Sequence, residues 1–535
     1  MTAMRGSLDL RDRTALFDAI DGASFDVLVI GGGITGAGVA RDAAMRGLTV
    51  ALVEARDFAS GTSSRSSKMI HGGLRYLPQG DIALVREAAS ERKIVEAIAP
   101  HLARETPFVM PARTSATITK LRAGLWTFEK LGGVPKSRKH EVWSQAELMA
   151  REPAVAAEGL VGAVVYPEYL TDDARLTLAN VRSAAAHGAR VLNYACVEAM
   201  IMNNGRAVGL VVRDALGGSA RTARVTGRAV INAAGPWVDA LRALESDGAP
   251  PRLKLTKGVH LVVPRAKLPV DRTIIIPAAD RRSVFAVPKG ETTYIGTTDT
   301  FYPALDLWPT ITGEDVDYLL AATTKAFATP PLTHADLVSA WSGVRPLVAE
   351  EGKSASEISR RDELWTGPGG VLSIAGGKLT AYRRMAERVV DLVEETLGRK
   401  LGPCRTASEP LVGGDVDVAA ARAALVASGY PPLQAERVVA LYGSEAAVVA
   451  AEGGGPAAEA AHAVLHEGAL SLEDYWIRRG ARAWFDPDGG LAALAPAAAA
   501  MAPLLGWSAT ETTNQIATCC ANHTLRTAAF TPAAA

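Results

Sequence analysis

The chain has 535 residues, 48% hydrophobic and 21% charged, enough to bury a large core and to form about three or four domains, or two large ones. Lys plus Arg and Asp plus Glu number 57 each, and a zero balance gives no support to a nucleic-acid-binding protein, though local patches of either sign remain open. The four cysteines, Cys196, Cys404, Cys519 and Cys520, form no C-x-x-C and no disulfide framework, which excludes a zinc ribbon or thioredoxin-like motif and fits a reducing cytoplasm.

Residues 1–24 read as a polar leader with one short helix, without the apolar core of a secretory signal. A strand over 25–30 ends in Gly31-Gly32-Gly33-Ile34-Thr35-Gly36, a helix follows over 37–46, and a second strand over 48–53 ends at Glu54. This is a βαβ unit. Helical periodicity returns at 81–99, and 101–165 alternate apolar runs with basic and Pro-rich pieces. A helix near 174–187 precedes strand-like runs at 189–197 and 207–213, and 229–235 is a strand ending in small residues. Short strands dominate 253–300, residues 314–328 look helical, and a strand over 371–375 meets Gly376-Gly377-Lys378-Leu379-Thr380 before a helix to about 397. Residues 414–535 are Ala-rich and helical in pattern. Within them 489–510 carry no charge and are long enough to span a bilayer, but Pro496 and Pro503 interrupt the run, which predicts soluble helices.

Gly31, Gly33 and Gly36 follow a strand and open a helix, the setting in which G-x-G-x-x-G signifies dinucleotide binding. Gly31 permits the tight turn, Gly33 lets the backbone approach a pyrophosphate, and Gly36 allows close helix–strand packing. The helix N-terminus then faces the phosphates, and Glu54 is placed to bond a ribose 2′-hydroxyl. Later Gly-rich strand ends suggest one long cofactor threaded through the chain. Amides of 377–380 lie where they can stabilise electron density on a flavin ring.

The runs TSSRSSKMIHGGLRYL, YLTDDARLTLANV, NAAGPWVD, LTKGVHLVVP, YIGTTDT, WSGVRPL and GGKLTAYR resemble the FAD-dependent glycerol-3-phosphate dehydrogenases of the D-amino-acid-oxidase-like flavoproteins. The likeness is strong over about 22–400 and weak beyond 405. It implies an α/β fold: a Rossmann-type, glutathione-reductase-like FAD domain (22–100, 166–250 and 340–400), an inserted antiparallel β-rich substrate domain (101–165 and 251–339) and an all-helical C-terminal domain (405–535). It also implies oxidation of sn-glycerol 3-phosphate to dihydroxyacetone phosphate by hydride transfer to non-covalent FAD, with a membrane quinone as acceptor. The alternatives are an oxidase passing electrons to O₂, an amine or amino-acid oxidase, an NAD-linked dehydrogenase, or a flavin-binding subunit without turnover. The expected location is cytoplasmic and peripheral to the inner membrane face, and a homodimer is compatible with it.

By resemblance Arg75, Tyr76, Arg345, Arg360 and Lys378 bind the substrate, with Arg361 a rival for Arg360. Guanidinium forks suit a phosphate dianion. His260 is the candidate base or hydroxyl-positioning group, on a strand whose Val259 and Leu261 face the other way. Arg345 is a second catalytic candidate, lowering the hydroxyl pKa by its charge. Gly31, Gly33, Gly36, Glu54, Ser67, Lys68, Gly377, Lys378, Leu379 and Thr380 are assigned to FAD, with His71 beside the flavin and Gly235 near the adenine half. Thr298 and Asp299 shape the site. The stretch 120–131, with Leu125, Trp126 and Phe128 among basic residues and followed by Lys136, Arg138 and Lys139, suits an anionic lipid surface.

Overall fold

The computed structural model describes residues 4–73, 82–132, 135, 138–280, 282–349 and 362–530. The run Val27-Leu28-Val29-Ile30 has no polar side chain and lies at the centre of a sheet buried on both faces. Its strand, Ser24–Ile30, pairs in parallel with Val50–Val53 on one side and Thr222–Asn232 on the other. Arg190–Leu192 and Leu372–Gly376 extend the sheet outward, also in parallel. Asp362–Thr366 closes one edge antiparallel, and the hairpin of Ala195–Asn203 and Arg206–Asp214 attaches to the first half of Thr222–Asn232. Parallel pairing brings the strand ends at Ile30, Val53, Asn232 and Gly376 to one edge, where the Gly-rich turns gather. In open α/β sheets that edge is where ligands bind.

The helices Ile34–Met45, Asp173–Ala186 and Tyr382–Leu397 cover this sheet. The last buries Tyr382, Met385, Ala386, Val389, Val390, Val393 and Leu397, an apolar stripe at helical spacing. Helix Ile34–Met45 approaches closely because it is small-residue rich: a Cβ on Gly36 would sit 1.9 Å from the Gly31 carbonyl oxygen.

A second, ten-stranded sheet stands over that edge. Leu253–Pro264 pairs antiparallel with Ser339–Val348 and with Thr292–Gly296, and the order continues through Ser283–Lys289, Thr273–Pro277, Arg104–Ala112, Gly162–Leu170 and Met69–Ile70. One pairing, Thr273–Pro277 with Arg104–Ala112, is parallel rather than antiparallel. Met69–Ile70, most of Gly162–Leu170 and Ser339–Val348 join this sheet from segments expected beside the parallel one. Strand membership follows long-range pairing rather than proximity in sequence.

From 418 onward the described residues are helical, and the run 489–510 folds as a turn and the helix Leu494–Leu505. Ala497, Ala498 and Met501 pack into one core with Ala460, Ala463 and Val464 of Gly455–Glu467. Among the described residues no helix is long and apolar enough to cross a membrane. The polar leader is docked rather than free: Leu8, Leu10 and Phe17 are buried, and the Leu8 N–H donates to the His466 carbonyl. The helix Ser115–Gly132 departs from expectation too. It buries Leu125 and Phe128 and leaves Trp126 exposed, while Arg138 is tied to Glu96. The side chains of Leu131 and Lys136 lie outside the described residues.

Gly36→Ala should lower the melting temperature by about 5–10 °C, because both atoms in the overlap belong to backbone. Gly124→Ala, in a helix with nothing within 4 Å of the added carbon, should leave it unchanged or slightly raised. Thermal unfolding of the two variants checks this.

Candidate active site

A cavity of about 1370 Å³ opens between the carboxyl edge of the parallel sheet and the second sheet. At one end Gly31 turns against the end of Thr222–Asn232; a Cβ there would lie 2.6 Å from the Ala233 oxygen. Gly33 caps helix Ile34–Met45 without a side-chain bond, and Ser63 Oγ accepts from the Ile34 amide. The positive end of a 12-residue helix with no acidic residue in its first turn thus faces the cavity. Glu54 accepts from the Gly32 amide at 2.7 Å and the Arg56 amide at 2.9 Å. Burial raises its pKa, and the two amides oppose the rise. Gly235 and Trp237 line the same end, with Arg56 over the Trp237 ring. A helix N-terminus, a glycine cradle and a carboxylate at the second strand end form the donor and acceptor set that a dinucleotide requires.

In the middle, Gly376, Gly377 and Lys378 join strand Leu372–Gly376 to a short 3-10 turn, Leu379–Ala381. Thr380 Oγ1 accepts from the His71 amide and donates to the His71 carbonyl, both at 3.2 Å. Next to it the Gly72 amide donates to Glu168, which also receives Arg92 at 2.8 Å. The segment at 71–72 is therefore fixed from both sides. Burial raises the Glu168 pKa, with Arg92 opposing.

At the far end the strand register decides which side chains meet. Thr256 lies opposite Arg345, Gly258 opposite Gly343, and His260 opposite Trp341. Directly opposed residues share a face. The other face carries Val259 and Leu261 into the core of the second sheet, as the alternation implies. Two absent side chains make room: a Cβ on Gly258 would lie 2.0 Å from Arg345 Nη2, and one on Gly296 would lie 2.1 Å from His260 Cδ2. Arg345 lies across Gly258 and donates to Thr297 Oγ1 at 2.9 Å, to Asp299 at 3.1 Å and to the Thr298 carbonyl. His260 stacks on Trp341 at 4.7 Å and 10°, and its Nε2 meets Ser67 Oγ at 2.9 Å. Burial, then the charges of Arg345 and Lys68, hold the imidazole well below its ordinary pKa, so it is neutral near pH 7. The Trp341 indole and the Tyr294 hydroxyl donate to the carbonyls of Ser66 and Ser67, which fixes the serine loop.

The cavity thus gathers Gly31, Gly33, Glu54, Ser67, His71, Gly235, Arg345, Gly377, Lys378, Leu379 and Thr380. Gly36 serves packing instead. Two assignments change. His260 is 1% exposed and does not line the cavity; it meets the hydroxyl of Ser67, which does. Lys68 is committed to Asp173 at 2.6 Å and to the Ser64 carbonyl, a buried ion pair of which only Asp173 reaches the cavity wall. Arg75, Tyr76, Arg360 and Arg361 lie outside the described residues. The sequence reading missed Glu168, Asp173 and Arg65, all on the cavity wall. Asp173 and Arg65 lie within motif-like runs already noted, but nothing local signals their burial.

The family described as "FAD dependent oxidoreductase" matches residues 26–383, and that described as "C-terminal domain of alpha-glycerophosphate oxidase" matches 404–512. The aerobic glycerol-3-phosphate dehydrogenase of Bacillus subtilis (strain 168) is 40% identical over 490 residues, covering 86% of this chain and 88% of that one. The enzyme of the same name from Staphylococcus aureus (strain USA300) is 45% identical over 400 residues, 73% of this chain and 72% of that one. The crystal structure of the glycerol-3-phosphate dehydrogenase from Bacillus halodurans complexed with FAD superposes with a TM-score of 0.81 at 34% identity, covering 98% of this chain and 100% of that one.

The buried, neutral His260 has a consequence for stability. Its folded pKa is depressed, so below the unfolded value near 6.5 the unfolded chain binds a proton that the folded chain refuses. His101, pushed down to about 3 by burial, acts in the same direction. Stability should fall from pH 6.5 downward by up to about 1.4 kcal/mol per pH unit for each such ring. Denaturant unfolding at pH 7, 6 and 5 should show a shallower loss for His260→Gln than for the parent; an unchanged slope would contradict the buried neutral ring.

Proposed function

The chain belongs to the FAD-dependent glycerol-3-phosphate dehydrogenases, and on that premise we propose that it oxidises sn-glycerol 3-phosphate at C2 to dihydroxyacetone phosphate and passes the electrons to a membrane quinone. The observation that carries the substrate reading is Arg345, a guanidinium held on the cavity wall by Thr297 and Asp299 beside the Ser67–His260 pair. Bound FAD supplies the hydride acceptor. Arg345 binds the anionic substrate and favours ionisation of its C2 hydroxyl. Ser67 Oγ, held by the neutral His260 Nε2, accepts from the C2 hydroxyl and orients it, so the Ser67–His260 pair positions the hydroxyl rather than storing its proton as an imidazolium. Arg75, Tyr76 and Arg360, assigned by resemblance, complete phosphate binding with Lys378. At the other end Glu54 receives the ribose hydroxyl, and Gly31 and Gly33 admit the pyrophosphate.

The acceptor reading rests on the apolar part of the same cavity, a lobe where Phe108 packs on Tyr166 and Phe285. It is lined by Phe108, Met110, Leu121, Tyr166, Ile275 and Phe285 and lies under helix Ser115–Gly132. The outer face of that helix shows Trp126, 57% exposed, between Arg122 and Lys130, with the Lys130 ammonium over its ring. A basic surface with one exposed indole suits peripheral contact with an anionic bilayer, and the lobe suits a quinone ring arriving from it. Reduction of O₂, the oxidase alternative, needs no such lobe.

Anaerobic mixing with glycerol 3-phosphate should bleach the flavin band of the parent protein. Arg345→Ala should keep its FAD and bleach about a hundredfold more slowly or worse, since truncating one partner of a buried charge contact costs roughly 2–5 kcal/mol. Bleaching at the parent rate would remove Arg345 from the site. Leu121→Asp should leave that bleaching unchanged and lower steady-state turnover with a soluble quinone about tenfold. An equal loss with O₂ as acceptor would count against the apolar lobe.

A further inference from the structure

The motif Trp476-Ile477-Arg478-Arg479 takes no part in the chemistry above, yet its two arginines are buried, at 3% and 1% exposure. They lie on a π-helical turn, Asp474–Arg479, in the C-terminal helical region. Such turns interrupt ordinary helices and recur at functional positions. Both side chains leave their own domain and converge on one carboxylate, Asp57. Arg478 Nε donates to Asp57 Oδ2 at 2.5 Å, Arg479 Nη2 to Asp57 Oδ1 at 2.8 Å, and Arg479 Nη1 to Asp57 Oδ2 as well. Arg478 is steadied by Asp474 at 2.7 Å, and Arg479 by the Glu467 carbonyl at 2.9 Å. Asp57, itself 1% exposed, stays ionised because the two guanidiniums outweigh the cost of its burial.

Asp57 belongs to the loop that leaves Glu54. On its opposite side the same loop presents Glu54, Ala55, Arg56 and Ser60 to the cavity. It returns to the glycine turn where the Ala59 amide donates to the Gly32 carbonyl. A second tether runs in parallel: the Tyr194 and Ala195 amides donate to the carbonyls of Arg56 and Glu54, and the Tyr194 hydroxyl donates to Asp474 at 2.7 Å. The loop is therefore held between the cofactor end of the cavity and the helical domain. Buried ion pairs contribute little net stability compared with apolar packing of the same volume. What this cluster supplies is position, since two planar forks on one carboxylate fix the loop in direction as well as distance.

We infer that Arg478 and Arg479 are positioning residues for the adenosine half of FAD, so that cofactor affinity is coupled to the order of the C-terminal helical domain. The inference rests on FAD binding at this cavity, which reconstitution of the flavin absorbance reports independently. Coupling is reciprocal: if the domain helps hold the loop for FAD, FAD must help order the domain. In the full-length parent protein, stripped of FAD and then reconstituted, amide hydrogen exchange over 474–480 should slow on FAD addition, and more than over Val418–Ala427 in the same domain. Equal slowing in both segments, or none over 474–480, overturns the inference. Arg479→Lys keeps the charge and loses the fork, and should raise the FAD dissociation constant about tenfold. Asp417→Ala is the comparison, because Asp417 caps helix Val418–Ala427 inside the helical domain, away from Asp57 and the 474–480 turn. It should destabilise the domain and leave FAD affinity within about twofold. An equal shift in both variants would assign the arginines a purely structural role and defeat the inference.

Discussion

Everything at the cofactor end depends on the approach of Gly36 to the carbonyl of Gly31. With no Cβ between them, helix Ile34–Met45 settles directly on the turn that leaves the central strand. That contact aims the helix N-terminus at the cavity and packs the turn against Ala233 at the end of the neighbouring parallel strand. In the same turn the Gly32 amide donates to Glu54 at the end of the second strand. A methyl group at Gly36 would separate these pieces even though none of them touches a substrate.

The same economy of volume operates across the cavity. Gly258 and Gly296 provide the space in which Arg345 and His260 lie flat against their strands. The charges are then divided into two groups. Lys68 with Asp173 and Arg92 with Glu168 are closed pairs that hold the walls. Arg345 is held by a carboxylate and neutral oxygens at the cavity surface, where an anionic substrate can meet it. The buried imidazole against Ser67 is neutral because burial and two neighbouring cations all disfavour its charged form. Desolvation thus keeps the ring a neutral hydrogen-bond partner for Ser67 at a pH where an exposed histidine would be partly protonated.

The helical domain belongs to this arrangement through ion pairs as well as apolar contact. Arg175 and Arg182 on helix Asp173–Ala186 reach Glu467 and Glu445, and Asp57 receives Arg478 and Arg479. These pairs leave from the backs of segments whose fronts line the cavity: Asp173 at the start of the helix, and Arg56 beside Asp57. The domain therefore braces the cofactor end from outside, without contributing side chains to the cavity wall among the described residues.

The sequence alone determined the features written by neighbouring residues. The glycine turn, its strand and helix, the carboxylate at the next strand end and the alternation around His260 are each set within a few residues by backbone geometry and the period of two or 3.6. The tertiary structure decided what depends on partners far apart in the chain. It put His260 against Ser67 rather than on the cavity wall, paired Lys68 with Asp173, hid Leu125 and Phe128, and brought Arg478 and Arg479 to Asp57. Charge and polarity are visible in a residue, but its burial and its counterion are properties of the packed neighbourhood, and long-range pairing alone sets those.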